Sequence, residues 1–370
     1  MPPKILLVHH DTTLAHCYAE KLSAAGFAIE HAPDGESALA RLSKGRPDAV
    51  LIDLVLPTVE APEVIRNMRL IEGCKDLPII ALPCSLASYA RSAQQAGATK
   101  VLERDTDSLS RALTAINEAL GSRHSDSRPH AQVDQAIAAR LLSEAPAWLA
   151  LFRRSLNGVV HSQSDRQALH DFLEGAHHFT EAMAMADAGP LFQLAAAVTV
   201  LVGDLHKLPD QLNASTLRTL GQAADFLSTL LDPQNQGRAR DLDASRVLIV
   251  EDDAAAGQLI QAAMQFVGLR SAWADAPAAS LDRLAREPFD LIFLDVGLPQ
   301  MSGFDLCTKV RTLELHEKTP IVFLTGMATF QNRVQSSLSG GNDFIGKPFN
   351  LPELGVKALI WVYKGHLGLS

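Results

Sequence analysis

Short apolar runs recur in the first and last thirds of the chain, and each is followed by a segment with the spacing of an amphipathic helix. In the last third the runs are rich in Val, Ile, Leu and Phe, as buried parallel strands are. Amphipathic segments at 254–267 and 277–286 separate them. Five strand–helix units in about 120 residues predict a doubly wound α/β sheet. The predicted strands are 246–250, 270–274, 290–294, 320–324 and 343–346.

The chain repeats this pattern near its beginning. An apolar run from Lys4 to Val8 matches the run from Arg246 to Val250 at an offset of 242 residues. Because pattern and spacing agree over most of a domain, we predict a duplicated α/β domain at the two ends. Other pairs with the same offset are Gly26 and Gly268, Asp53 and Asp295, Pro57 and Pro299, and Pro78 and Pro320.

The middle of the chain has a different composition. Alanine, leucine and glutamine dominate residues 134–232, and prolines are confined to apparent breaks, which predicts an all-α helical bundle. Polar stretches at 122–132 and 233–244 are typical of linkers. The expected domains are therefore 1–121, 134–232 and 245–370. The predicted helices of the bundle are 134–143, 147–160, 164–186, 189–207 and 214–231.

Composition narrows the class of protein. The 370 residues are 47% hydrophobic and 20% charged, which argues against a mainly disordered chain. A net charge of -9 gives no basic footprint, so we expect no direct DNA binding. The four cysteines lack C-x-x-C spacing, which argues against a disulfide framework or zinc cage. The first residues do not resemble a signal peptide, and the longest apolar stretch, around Leu191 to Val202, is too short to span a bilayer. We expect a cytoplasmic protein.

Acidic and polar side chains follow the strands of the C-terminal copy. Asp252, Asp253 and Asp295 are expected at one sheet edge, where like charges repel and raise one another's pKa. A hard divalent cation relieves that repulsion, which predicts Mg²⁺. Thr325 and Lys347 end the fourth and fifth strands and supply a hydroxyl and a cation. A carboxylate nucleophile, a metal, a hydroxyl and a lysine around one point suit phosphoryl transfer.

From residue 245 to about 365, this set of residues resembles the receiver domain of two-component response regulators. The resemblance implies a flavodoxin-like fold, with Asp295 as the phosphoacceptor and Phe344 as the aromatic switch residue. Thr325 and Lys347 would stabilise the phosphoryl group. The implied Mg²⁺ ligands are Asp252, Asp253, Asp295 and the backbone near Gly297.

The implied function is that of a signalling phosphoprotein, not an enzyme, which changes conformation when phosphorylated. The expected partners are a sensor histidine kinase or phosphotransfer protein, a second copy through receiver surfaces, and a downstream protein or output domain. Two alternatives stay open. The chain is the regulatory region of a longer protein such as a diguanylate cyclase, or it is a non-catalytic scaffold or dimerisation protein.

The N-terminal copy departs from this pattern. The corresponding positions are His10, Asp11, Asp53, Pro83 and Arg104. Proline has no hydroxyl, and a neutral histidine is a poor ligand for Mg²⁺, so we interpret this copy as a degenerate receiver. His9 and His10 form a pair of the kind that binds transition metals, but the sequence shows no third ligand, so we discount a metal site there.

One histidine of the helical region stands in a recognisable context. Ala176-His177 resembles the start of a histidine phosphotransfer domain, which implies His177 as a phosphoryl acceptor. That family expects lysine and glycine where this chain has Thr180 and Glu181. A carboxylate beside the histidine would repel an acidic receiver pocket. We therefore expect no rapid transfer between His177 and Asp295, and a structural or docking role for 134–232.

Overall fold

A computed structural model describes nine segments of the chain, and structural statements below concern these residues. They are 2–56, 59–82, 87–102, 108–121, 131–161, 166–235, 238–239, 242–326 and 338–369. The chain divides into two compact units. The first comprises Met1–Leu151 with His170–Thr199, and the second comprises Phe152–Leu169 with Val200–Ser370.

The first unit contains a parallel sheet covered by helices. Its strands are β1 Lys4–Val8, β2 Ala28–Ala32, β3 Ala49–Ile52, β4 Ile79–Ala81 and β5 Lys100–Val101, and they lie in the order β2-β1-β3-β4-β5. Its helices are α1 Thr12–Ala24, α2 Gly35–Leu42, α3 Ala61–Leu70, α4 Ala87–Ala96 and α5 Ser108–Ala119. The central strand β3 is buried along its whole length, as a strand covered on both faces must be.

Four longer helices follow the first sheet. They are α6 Ala131–His161, α7 Arg166–Met185, α8 Gly189–Lys207 and α9 Ala214–Leu231. The sequence predicted a break near Pro146, but α6 continues through it. Leu141, Ala145 and Leu149 are buried at helical spacing on both sides of the proline, so packing of one continuous apolar face outweighs the lost backbone hydrogen bond.

Among the described residues, α8 is long and apolar enough to cross a membrane by length and composition. However, 72% of its apolar window is buried inside the protein, as in the core helix of a folded domain.

The second unit contains the second parallel sheet. Its strands are β6 Arg246–Val250, β7 Arg270–Ala274, β8 Leu291–Asp295, β9 Ile321–Thr325 and β10 Asp343–Gly346, and they lie in the order β7-β6-β8-β9-β10. Its helices are α10 Ala254–Phe266, α11 Pro277–Leu284, α12 Gly303–Val310 and α13 Leu351–Leu367. The strand order matches that of the first sheet, which confirms the predicted pair of doubly wound domains with a helical region between them.

Strand register positions the functional residues in both sheets. Val8 pairs with Ile52 in the first sheet, and Val250 pairs with Leu294 in the second. The residues that follow β1 and β6 therefore lie beside the carboxyl ends of β3 and β8. In a doubly wound sheet, this edge is where ligands bind.

In each copy, an arginine at the equivalent position forms hydrogen bonds with the backbone of neighbouring loops. Arg311 donates from Nε to the Gly340 carbonyl at 2.8 Å, and from Nη1 to the carbonyls of His316 and Thr319 at 2.9 and 2.7 Å. Arg69 likewise donates to the carbonyls of Gly97, Cys74 and Leu77. Burial lowers the pKa of both guanidinium groups. Each arginine thus donates hydrogen bonds to three backbone carbonyls of the loops around it.

Replacing this arginine should destabilise the second unit. We expect Arg311→Met to lower the free energy of unfolding by about 2–4 kcal/mol, because three carbonyl oxygens lose their donor and two of these hydrogen bonds are partly buried. Urea denaturation followed by circular dichroism measures the change. Arg286→Met, at an exposed position, is the matched control. A loss no larger than that of the control would show that water replaces the guanidinium without cost.

Candidate functional site

The carboxyl edge of the second sheet brings together a lysine and buried acidic groups. Glu251 directly follows β6, Asp295 ends β8, and Lys347 directly follows β10. The Lys347 Nζ atom lies 2.7 Å from Glu251 Oε2 and 3.1 Å from Asp295 Oδ1. Thr325, at the end of β9, is buried at the same edge. The structure thus brings the predicted Asp295, Thr325 and Lys347 to one sheet edge.

The charges at this edge are only partly balanced. Burial raises the pKa of Glu251, and the nearby charge of Asp295 adds to the effect, although Lys347 opposes it. Burial disfavours the charged form of Lys347, but its contacts with Glu251 and Asp295 outweigh that effect and raise its pKa. A fixed ammonium therefore faces more than one carboxylate, which leaves excess negative charge for a cation to neutralise.

Three carboxylates form an oxygen cluster suited to that cation. One oxygen each from Glu251, Asp252 and Asp295 lies within 4.8 Å of the others. Carboxylate oxygens are the ligands that Mg²⁺ prefers in proteins, so the donor set fits this ion. The chain turns closely around Asp295: a Cβ at Gly303 would lie 2.2 Å from its backbone oxygen. One at Gly297 would lie 3.5 Å from its Oδ2, which places the predicted backbone donor segment beside the carboxylate.

The acidic pair differs from the predicted one by one position. Asp253 caps α10, because its Oδ1 accepts hydrogen bonds from the backbone N–H groups of Ala255 and Ala256 at 2.8 and 3.0 Å. The predicted pairing of Asp252 with Asp253 is thus corrected to Glu251 with Asp252. The signal was present in the sequence, since the apolar run ends at Val250 and a helix begins at Ala254. The residue just before a helix is the favoured position for an aspartate cap.

Helix α9 covers the aromatic residue that the sequence singled out. The guanidinium of Arg218 lies 3.8 Å from the centre of the Phe344 ring. On α13, Glu353 Oε1 accepts hydrogen bonds from Ser215 Oγ and Thr219 Oγ1 at 2.6 and 2.9 Å. The face of the sheet domain formed by β10 and α13 is therefore packed against α9. Sequence reasoning gave no indication of this contact.

The first sheet places histidines at the equivalent edge. His9 and His10 occupy the positions of Glu251 and Asp252, and Asp53 occupies that of Asp295. The predicted assignment of Asp11 to this site is corrected, because its side chain caps α1 by accepting from Leu14 N–H at 2.9 Å. Pro83 and Arg104, also predicted for this site, lie outside the described residues.

Helix α7 also contributes to this edge. His177 Nε2 lies 3.0 Å from Asp53 Oδ1, across 124 residues of sequence. Glu181 Oε2 lies 3.1 Å from His9 Nε2, and Glu181 Oε1 accepts a hydrogen bond from the Tyr18 hydroxyl at 2.8 Å. His177 is only 2% exposed. The candidate phosphohistidine is therefore buried against the carboxylate of the degenerate copy in this structure.

Electrostatics explain why this packing is tolerated. Burial would raise the pKa of Asp53, but the charges and hydrogen bonds of the surrounding imidazoles, His177 first, lower it. Burial disfavours charge on His9, yet Glu181 outweighs burial and raises the pKa of His9. Burial lowers the pKa of His10, and burial together with the neighbouring imidazoles lowers that of His178. The edge thus combines two buried carboxylates with imidazoles whose pKa values are shifted in opposite directions.

Two substitutions distinguish the corrected acidic pair from the predicted one. We expect Glu251→Gln to weaken Mg²⁺ binding to the full chain about tenfold or more, because an oxygen ligand loses its charge. Asp253→Ala should leave the Mg²⁺ affinity unchanged and slightly lower thermal stability, because it removes a helix cap. Isothermal titration calorimetry and thermal unfolding measure the two effects. If Asp253→Ala weakened Mg²⁺ binding and Glu251→Gln did not, Asp253 would be the ligand and Glu251 would not.

Comparison with known proteins places both sheet domains in one family. A family model described as the response regulator receiver domain matches residues 5–116 and 247–358. The cell cycle response regulator CtrA of Brucella ovis is 36% identical over 124 residues, which is 33% of this chain and 52% of that protein. CtrA of Brucella abortus (strain 2308) gives the same values. The chain therefore spans about half the length of the curated relatives that it matches.

Solved structures with related sequences include two CheY-like proteins. A receiver domain protein from Methanospirillum hungatei is 28% identical, with 34% of this chain and 98% of that chain covered and a TM-score of 0.32. The chemotaxis response regulator CheY4 of Vibrio cholerae is 30% identical, with 32% and 98% covered and a TM-score of 0.30. The two matched segments of the family model make up more than half of the sequence, and the chain belongs to the response regulator receiver domain family.

Proposed function

We propose that this chain is a two-component response regulator in which Asp295 accepts a phosphoryl group. The observation that carries the proposal is the contact of Lys347 with Asp295 at 3.1 Å, beside the oxygen cluster of Glu251, Asp252 and Asp295. Among the described residues, the second sheet holds an all-oxygen cluster of this kind, and the first sheet holds histidines at the same positions.

The chemistry needs a phosphodonor, which we propose to be the phosphohistidine of a sensor kinase or phosphotransfer protein. A carboxylate oxygen of Asp295 attacks phosphorus, an O–P bond forms, and the N–P bond of the donor breaks. The leaving imidazole takes up a proton. Mg²⁺ held by the three carboxylates would neutralise charge on the transferring group. Lys347 supplies a second, fixed cation from the protein itself, and Thr325 offers a hydroxyl at the end of the neighbouring strand.

The N-terminal copy is proposed to be a pseudo-receiver. The Oδ1 atom of Asp53 already accepts from the backbone N–H of Val55 at 3.2 Å and lies 3.0 Å from His177 Nε2. Asp53 is fully buried, so a phosphodonor has no approach to it in this conformation. His177 is correspondingly assigned a docking role for α7 and not phosphoryl transfer. This copy and the helical region then act as a scaffold for the C-terminal receiver.

Output is proposed to pass through the face that α9 covers. In receivers, phosphorylation moves the hydroxyl residue and the aromatic switch residue, here Thr325 and Phe344, toward the phosphoryl group. Arg218 lies over the Phe344 ring, so that movement changes the packing of α9 against β10 and α13. The result is a shift between two packed states driven by one added charge. A downstream protein, an output domain or a second copy of the chain would detect the altered surface.

Several finer assignments belong to the same proposal. The chain acts in the cytoplasm without an enzymatic activity of its own beyond the chemistry of the acyl phosphate. Its domains are 1–121, 134–232 and 245–370, with the degenerate receiver first and the intact receiver last.

Labelling of the full chain tests the assignment of the phosphoacceptor. We expect acetyl phosphate with Mg²⁺ to produce one acyl phosphate, which hydroxylamine removes. Asp295→Asn should abolish the label, while Asp53→Asn and His177→Gln should retain it, because among the described residues Asp295, and not Asp53, lies beside a lysine and the oxygen cluster. Phosphate-affinity electrophoresis and mass spectrometry measure the label. Retention in Asp295→Asn with loss in Asp53→Asn would reverse the roles of the two copies.

Removal of the arginine over the switch residue tests the output route. The Arg218–Phe344 contact favours the observed position of the ring by about 0.5–1 kcal/mol. If activation moves the ring, Arg218→Ala should tighten binding of beryllium trifluoride, an analogue of the aspartyl phosphoryl group, about two- to fivefold. Arg153→Ala removes the exposed ion pair with Asp225 and serves as the control. An unchanged affinity in Arg218→Ala would rule out this contact as part of the switch.

A further inference from the structure

Duplication allows the two sheet edges to be compared position by position. At the second sheet, the cluster is made of oxygen donors from Glu251, Asp252 and Asp295. At the first sheet, one ligand atom each from His9, His10 and Asp53 likewise lies within 4.8 Å of the others. The backbone positions and the compactness of the cluster are kept, while two carboxylates have become imidazoles. A donor set of two nitrogens and one oxygen suits zinc-like transition metals and is poorly suited to Mg²⁺.

Two of these atoms are buried without a hydrogen-bond partner among the described residues. They are His10 Nδ1 and Asp53 Oδ2, which face each other at 4.0 Å. The Asp53 side chain is completely buried, so its second oxygen cannot be satisfied by bulk water. An unpartnered carboxylate oxygen in the interior costs free energy unless a cation lies against it. The unpartnered imidazole nitrogen beside it is a lone-pair donor, not a cation.

Helix α7 provides a carboxylate behind each imidazole. His9 Nε2 lies 3.1 Å from Glu181 Oε2, and His10 Nε2 lies 3.2 Å from Glu174 Oε1. Histidines that bind metals commonly donate their other ring N–H to a carboxylate, which fixes the ring and its tautomer. With Nε2–H directed at the glutamates, each histidine presents the lone pair of its Nδ1 atom for coordination. His10 Nδ1 has no hydrogen-bond partner among the described residues, whereas His9 Nδ1 accepts from the Asp11 N–H. The sequence alone showed the histidine pair but neither the third ligand nor these supporting groups.

We propose that His9 Nδ1, His10 Nδ1 and Asp53 Oδ2 bind one transition-metal ion of the zinc class at the edge of the first sheet. The ion takes the place that Mg²⁺ has in the C-terminal copy. Coordination by His9 Nδ1 replaces its long hydrogen bond from the Asp11 N–H, 3.2 Å in this structure.

The distances require a small adjustment. Zinc ligands at about 2.0–2.2 Å in tetrahedral geometry lie about 3.4 Å from one another, so His10 Nδ1 and Asp53 Oδ2 must approach by roughly half an ångström. The His10 side chain is 19% exposed and has room to move. His178 packs against His10: its ring centre is 4.0 Å from that of His10, and its buried Nε2 has no hydrogen-bond partner among the described residues.

Cobalt substitution on the untagged full chain tests the site. We expect one Co²⁺ per chain to give the intense visible d–d bands of a tetrahedral site with nitrogen ligands, and Zn²⁺ to displace it while excess Mg²⁺ does not. The double variant His9→Gln, His10→Gln should lose these bands and bind Zn²⁺ about 100-fold or more weakly. Its matched control is Glu251→Gln, Asp252→Asn, which removes the equivalent pair in the other copy and should leave the bands unchanged. His16→Gln, at an exposed histidine, controls for nonspecific binding.

If the His9→Gln, His10→Gln variant does not fold, a second double variant still tests the metal site. His9→Glu with His10→Asp copies the donor set of the C-terminal site and should lose the tetrahedral cobalt bands while gaining Mg²⁺ binding. Circular dichroism verifies the fold of each variant. The proposal is overturned if the unmodified chain shows no tetrahedral cobalt bands. It is equally overturned if those bands persist when both His9 and His10 are replaced, or disappear in the Glu251→Gln, Asp252→Asn control.

Discussion

Each copy of the α/β domain buries an aspartate at the end of its third strand, and the groups around each site must offset the free-energy cost of burying that charge. Strand register places the residues that follow β1 and β6 directly beside the carboxylate of their own copy. The type of residue at these positions therefore decides how the charge is balanced. At Asp295 the balance comes from the ammonium of Lys347, with two further carboxylates that favour a hard cation. At Asp53 it comes from imidazoles, including one from a distant helix.

Much of the sheet architecture could be predicted because buried parallel strands have a strong local signature. The strands around Asp295 appeared within one residue of their predicted bounds, and Lys347 could be placed because its strand ends just before it. It was harder to predict which two acidic residues form the pair. Asp252 has an acidic neighbour on each side, and composition does not distinguish a metal ligand from a helix cap. The predicted helix break near Pro146 was wrong for a different reason. Burial of the apolar face of α6 outweighed the local tendency of proline to interrupt a helix.

The contact between His177 and Asp53 could not be predicted from local pattern, since the two residues are far apart in sequence. The electrostatic objection to docking, that Glu181 would repel an acidic receiver, applies to the intact copy. In the degenerate copy the opposing residue is His9, whose charge Glu181 stabilises. The histidine at the edge of the first sheet and the glutamate on α7 thus have complementary charges, which explains both residues together.

Because the site at Asp53 is assembled from two separate parts of the chain, the first 121 residues contain His9, His10 and Asp53 but not the groups that α7 packs against them. Without α7, Asp53 would lose the imidazole of His177, which lowers its pKa, and His9 would lose the carboxylate of Glu181, which raises its pKa. A truncated N-terminal receiver would fold around the same sheet and yet present a different chemical site. Biochemical behaviour measured on that fragment would describe a site that lacks the groups supplied by α7 in the full chain.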